Sequence, residues 1–146
     1  MPRTIWTSHW THGPHRLTEP AKPAEPRQLT VSITEFTTHR PWHALGVAAS
    51  ARRLRDTWPD TEGAVGLLLW IHPHPLRPVT GSLSVWRDPT ALHGFVSRPD
   101  HRVIVRDYRD RGTVRSATVT LPAADLHTAW QWARPLLTGQ QSWPVA

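Results

Sequence analysis

Between Glu62 and His72 the chain runs Gly-Ala-Val-Gly-Leu-Leu-Leu-Trp-Ile, with no charge and no polar alternation. The run is far short of the ~20 residues needed to cross a bilayer, and its two glycines make a poor helix interior. It reads as a strand over 62–71. Side chains of a strand alternate between the two faces of its sheet, so a strand apolar at every position needs cover on both. Helices of a small open sheet are expected to supply one cover. The other is expected from the sheet of a second copy, which makes the chain a homodimer.

Three further strands follow from alternation. Leu29, Val31 and Ile33 alternate with Thr30, Ser32 and Thr34 over 28–36; residues 82–86 alternate small polar with large apolar side chains; and Val114, Ala117, Val119 and Leu121 mark a strand over 113–121. Pro41 is expected to open a helix reaching Trp58, with Ala44, Val47, Ala51, Leu54 and Trp58 as its apolar stripe and Arg52, Arg53, Arg55 and Asp56 outside it. Pro122 is expected to begin a last helix carrying Leu126, Ala129, Trp130, Ala133 and Leu137, which Pro135 ends near Arg134. The order β-α-β-β-α-β followed by a helix predicts an α+β, ferredoxin-like antiparallel sheet.

The stretch from Gly81 to Gly112 carries the strongest chemical signal. Asp88 stands at an N-cap position with Pro89 behind it, so a helix starts there, and Ala91, Leu92, Phe95 and Val96 share one side of it. Pro99 forces a break near Ser97 and a second helix beyond it. On that helix His101, Ile104, Val105 and Tyr108 fall at i, i+3, i+4 and i+7, with Arg102, Arg106 and Arg109 on another face. A histidine on an apolar face in a first helical turn stays neutral, because the positive helix end and burial both oppose imidazolium. Such a ring serves as a base or an iron ligand; the plain alternative is a core histidine bonded to a carbonyl.

The spacing of Trp86, Phe95 and His101 ahead of the Arg-rich helix resembles the dimeric α+β barrel superfamily, most nearly small bacterial proteins similar to spheroidene monooxygenase. The superfamily also includes antibiotic-biosynthesis monooxygenases and haem-degrading monooxygenases. The likeness extends upstream to Val31-Ser32-Ile33-Thr34 and Pro41-Trp42 and covers about two-thirds of the chain. It implies pairing as a dimeric α+β barrel. In the haem-degrading relatives a histidine on the second helix ligates iron and a Trp on the preceding strand packs beside the haem, and the matching positions here are His101 and Trp86.

The remaining features mostly exclude. There is no cysteine, hence no disulfide, thiolate nucleophile or Cys-based metal site, which fits the expected cytoplasmic location. No secretory h-region or membrane span is visible, so a soluble protein without membrane partners is expected. The net charge of +6 comes from sixteen arginines and Lys22 alone, spread without a run of five, so nucleic acid is not an expected partner. His9, His12 and His15, and likewise His72 and His74, have no third ligand type beside them and read as loop histidines. Residues 1–27, with five prolines, read as an arm whose Trp6 and Trp10 contact the body or a second subunit; 28–139 is the folded domain and 140–146 a tail. Ser-elbow, His-Glu-x-x-His and nucleotide-binding glycine motifs are absent.

The expected site is therefore a pocket between helices and sheet for a hydrophobic or aromatic small molecule. His101, Trp86 and Tyr108 are its chemical residues, and Trp42, His43, Trp70, Phe95 and Val105 its substrate contacts. Three functions compete: a tailoring monooxygenase of natural-product type, with haem on His101 as the resemblance implies; a cofactor-free enzyme of that kind, or a cyclase or isomerase; and a non-catalytic dimeric binding module.

Overall fold

The computed structural model describes residues 3–15, 27–123 and 125–144. Residues 16–26 of the expected N-terminal arm, and the last two of the expected C-terminal tail, lie outside the described residues. The elements are β1 (Trp6–Thr7), β2 (Thr11–His12), β3 (Arg27–Thr38), α1 (His43–Asp56), a 3-10 turn at Trp58–Asp60, β4 (Ala64–His72), β5 (Val79–Trp86), α2 (Pro89–Val96), α3 (Pro99–Tyr108), β6 (Gly112–Ala123) and α4 (Leu126–Thr138). The sheet runs β1-β4-β5-β3-β6, with β2 also on β4, and all its pairings are antiparallel. The four long strands and the helices between them make the expected ferredoxin-like arrangement.

Helix starts obey the local chemistry. Asp88 accepts a hydrogen bond from the Ala91 N–H at 2.8 Å, and Pro89 opens α2. The chain re-aims at Ser97 and Arg98, the latter extended ahead of Pro99, as a residue before proline must be. Asp125 accepts from the Thr128 N–H at 3.0 Å to start α4, and Gly139 ends it in the left-handed region at φ 82°.

Two expectations about proline are corrected. Pro122 does not start a helix; it lies in β6 opposite Gln28. β6 is an edge strand, where a residue without an N–H costs no ladder bond on the free side. Pro135 does not end α4, which continues to Thr138. Proline removes one bond from the ladder, but Ala129, Ala133, Leu136 and Leu137 are all essentially inaccessible, and their burial holds the helix through the gap.

The two faces of the sheet differ in kind. Leu29, Val31 and Ile33 of β3, Leu83 and Val85 of β5, and Leu68 of β4 pack with the buried face of α4 in the main core. The opposite face carries Ser32, Thr34 and Phe36 toward α1 and α3. Both covers demanded by the apolar run in β4 are thus supplied within one chain: α4 takes the place that the sequence assigned to a partner's sheet. The described part of the arm extends the β4 edge. Thr7 pairs with Trp70 and Thr11 with Leu67, and Ser8 Oγ accepts from the Leu69 N–H at 3.0 Å.

Candidate functional site

Between α1, α2, α3 and the hydroxyl-bearing face of the sheet lies a cavity of about 880 Å³. Its helical walls are apolar: Val47, Ala51 and Leu54 from α1, Leu92 and Val96 from α2, and Ile104 and Val105 from α3. Its floor is a grid of small polar side chains fixed by strand register. Ser82, Thr34 and Ser116 stand side by side across β5, β3 and β6, and Thr118 stands beside Ser32 in the adjoining row. Ser32 and Thr118 bond each other at 3.3 Å. Thr80, also on the floor, is buried, and its hydroxyl has no partner among the described residues.

α3 carries the two ionisable side chains that matter most. It is pinned at its start by Arg98, which donates to Thr61 Oγ1 and Thr57 Oγ1 at 3.1 Å each and to Asp100 Oδ2 at 2.5 Å. His101 follows in the first turn, lines the cavity, and sets its ring edge-on to Phe95 at 5.1 Å between centroids. Burial pushes its pKa below 6.5, against the pull of the Asp100 carboxylate and the Val96 carbonyl, while Arg98 adds to the depression. The ring is therefore neutral at pH 7. Its Nδ1 is buried, on the side of the ring that the Val96 carbonyl acts on, so Nε2 is the nitrogen left to meet a ligand. One helix length away, Tyr108 lines the cavity with its ring edge-on to Phe36 at 6.3 Å and the Arg111 guanidinium 5.3 Å from its centroid.

Of the residues singled out from the sequence, His101, Tyr108 and Val105 border the cavity with their side chains; Trp70 comes to its edge on β4, but its ring lies over Gly81 on the other face of the sheet, buried in the α4-side core. The others do not. Trp86, expected at the chemical centre, is fully buried in a second core with Trp58, Ala64 and Leu67, and donates its indole N–H to Ser84 Oγ at 2.9 Å. Phe95 packs into that core, 5.2 Å from the Trp86 ring, and so stands behind His101 and not in front of it. Trp42 precedes α1 at the surface, 58 % exposed, and the His43 ring lies tilted beside it at 5.9 Å. Sequence reasoning missed the hydroxyl floor and Arg52 and Arg55 of α1; the arm, expected to contact the body or a second subunit, brings Trp6, Thr7 and Ser8 to the cavity at the β4 edge.

The fit to haem rests on His101. A ligating imidazole ordinarily donates its second N–H to a carboxylate or carbonyl, which fixes ring orientation and basicity. Nδ1 is closed off from the cavity, and the Val96 carbonyl is the backbone acceptor that acts on the ring. Trp86, the other residue implied for haem, is in the core. The pair of residues that the resemblance implies for haem is therefore not assembled at the cavity. Among the described residues no group of three or more His, Asp or Glu side chains is placed to hold a metal ion, and no helix is long and apolar enough to cross a membrane.

No protein-family model matches the chain. No curated protein matches it either. Solved structures do. A variant of SnoaB, a cofactor-independent oxygenase from Streptomyces nogalater, superposes with a TM-score of 0.51 at 17 % identity, over 64 % of this chain and 92 % of that one. A Bacteroides thetaiotaomicron protein of unknown function, described as a possible oxidoreductase, superposes at 0.53 and 11 % identity, over 67 % of this chain and all of its own. A de novo designed protein, Foldit4, superposes at 0.50 and 14 % identity, over 64 % and 98 %. At these identities the likeness is one of fold, the ferredoxin-like α+β fold found in oxygenases such as SnoaB. The designed protein among the matches makes the same point, since a fold carries chemistry only through its site.

Proposed function

We propose that the chain is a small-molecule tailoring enzyme of the monooxygenase kind, acting on a hydrophobic aromatic substrate in the cavity without a prosthetic group. The observation that carries this reading is a neutral, half-buried imidazole, His101, on a mainly apolar helical wall of a space of about 880 Å³. The fold match to a cofactor-independent oxygenase supports it. Without a prosthetic group, dioxygen takes its first electron from the substrate, which must therefore have a C–H acidic enough to give a delocalised carbanion. His101 accepts that proton. The carbanion reduces dioxygen and the two combine at carbon; the imidazolium returns a proton to the peroxide, and loss of water leaves a carbonyl. A methylene and one dioxygen become a ketone and one water. Tyr108, on the same helix and also lining the cavity, donates to an oxygen of the bound ring system.

The test is oxygen consumption with enolisable polycyclic phenols, followed by mass analysis of product formed under ¹⁸O₂. One labelled oxygen in the product is expected, with turnover falling ~10²- to 10⁴-fold in His101→Ala. A Soret band in protein freshly purified from its native host overturns the cofactor-free assignment. Tight binding without oxygen uptake or rearrangement, across the substrate panel, overturns the enzymatic one in favour of a binding module.

A further inference from the structure

Among the described residues the cavity is bordered by no acidic side chain, yet by three arginines, Arg52, Arg55 and Arg109. Arg3, Arg87, Arg98, Arg106 and Arg115 each have a carboxylate within 4.0 Å, while Arg40, Arg53, Arg77, Arg102, Arg109, Arg111 and Arg134 have none among the described residues. Arg52 and Arg55 have neither an ion pair nor a side-chain hydrogen bond among the described residues, although Arg55 is half-buried. Three apart on α1, they share one side of that helix.

Their position along the cavity is fixed by the helix pair. Arg98, just before α3, is bonded to Thr57 at the end of α1, while Tyr108 at the end of α3 lies against Gly46 near the start of α1. The helices are antiparallel, so Arg52 and Arg55, in the last part of α1, belong to the end of the cavity where α3 begins with His101. The negative end of the α1 dipole favours cations all around its last turn. It does not explain why Arg52 and Arg55 border the cavity while Arg53, between them in sequence, does not.

We infer that Arg52 and Arg55 form an acid-recognising subsite, and that the molecule the cavity takes up is an aromatic carboxylate held with its charge at the His101 end. Guanidinium groups match a carboxylate with paired N–H donors and hold their charge at every working pH. The apolar walls take the ring system, and the hydroxyls of Thr34, Ser82 and Ser116, unpaired among the described residues, offer bonds to its oxygens. This inference rests on the reading of the cavity as the substrate site and narrows it to one substrate class.

Two fluorescent probes of the same shape separate the possibilities: anthracene-2-carboxylate and the uncharged anthracene-2-carboxamide, titrated by quenching against the full chain. The carboxylate is expected to bind about tenfold more tightly than the amide, the gain of charge-assisted over neutral hydrogen bonds, and the advantage is expected to shrink with added salt. Arg52→Gln combined with Arg55→Gln should erase the preference, chiefly by weakening carboxylate binding, and leave the far-UV spectrum unchanged; Arg53→Gln should preserve it. Equal binding of the two probes overturns the subsite while leaving the cavity as a site for neutral aromatics. Loss of preference in Arg53→Gln as well overturns it in favour of overall positive charge. Binding of neither probe overturns the cavity reading, and the subsite with it.

Discussion

The hydroxyl of Tyr108 occupies the space that a side chain on residue 46 would need: a Cβ built on Gly46 falls against Oη and 3.3 Å from Cζ. Glycine inside a helix sacrifices about 1 kcal/mol relative to alanine, and here that sacrifice lets α3 set a phenol directly on the backbone of α1. The contact places Tyr108 at the cavity wall and fixes how the two helices face each other.

In an open helix Gly46→Ala would raise stability by ~1 kcal/mol; in this one it is expected to lower it, because backbone and ring must move apart. Tyr108→Phe removes the clashing oxygen, so the double variant should be more stable than the sum of the single effects, by on the order of 1 kcal/mol. Urea unfolding of the four proteins measures the coupling. Stabilisation by Gly46→Ala alone would show that the helices do not meet there.

The depressed pKa of His101 has a definite sign in stability. The folded ring titrates below its ordinary 6.5, with burial the main cause, so between those two values the unfolded chain binds more protons. Stability from this group is complete above pH 6.5 and declines as pH falls through the folded pKa. Thermal melts should show a loss on the acid side that His101→Gln removes, and wild-type turnover should hold to a lower pH than a free imidazole would allow. A histidine protonating at or above 6.5 by NMR titration contradicts this.

Trp86 gives the opposite kind of expectation. Its ring is enclosed by Trp58 at 4.8 Å and Phe95 at 5.2 Å, and its N–H is satisfied by Ser84. Trp86→Ala should cost ~3–5 kcal/mol through the cavity it leaves, and Trp86→Phe less, with turnover per folded molecule retained in both. A selective loss of turnover in stable Trp86→Phe would return this residue to the site.

How far the sequence could be read follows from these packing relations. Strands and helices were legible because polar alternation and the 3.6-residue stripe record burial directly; Asp88-Pro89 and the break before Pro99 were legible as cap chemistry. The spacing of Trp86, Phe95 and His101 does bring the three rings together, but spacing cannot tell which side of a ring faces a core and which a cavity: only His101 reaches the space. The apolar run in β4 announces that both faces are covered without saying by what. Leu68 lies in the core shared with α4, so Leu68→Arg unfolds the chain, whatever its oligomeric state. Arg52 and Arg55 fall outside the α1 stripe and read as solvent-facing, since periodicity separates core from non-core and a cavity edge belongs to neither. Pro122 was misread because nothing local reveals that β6 is an edge.

The arm joins these layers through Glu35, a carboxylate only 3 % exposed on the α4 side of the sheet. Arg3 meets it at 2.9 Å and also donates to the Leu137 carbonyl at the end of α4, while Arg115 of β6 holds its other oxygen. Removing Arg3 leaves a buried charge with one partner of two, and Arg3→Ala is expected to cost ~1–3 kcal/mol. Deleting residues 3–15 removes only two strand fragments of two residues each, so the far-UV spectrum should barely change. It also removes Trp6, Thr7 and Ser8 from the cavity wall and uncovers Leu69 and Ile71. The truncated protein is therefore expected to melt at lower temperature and to bind anthracene-2-carboxylate more weakly, while still preferring it to the amide because Arg52 and Arg55 remain. Unchanged affinity after truncation would show that the arm is no part of the binding wall, and loss of the far-UV signal would show that the sheet cannot form without it.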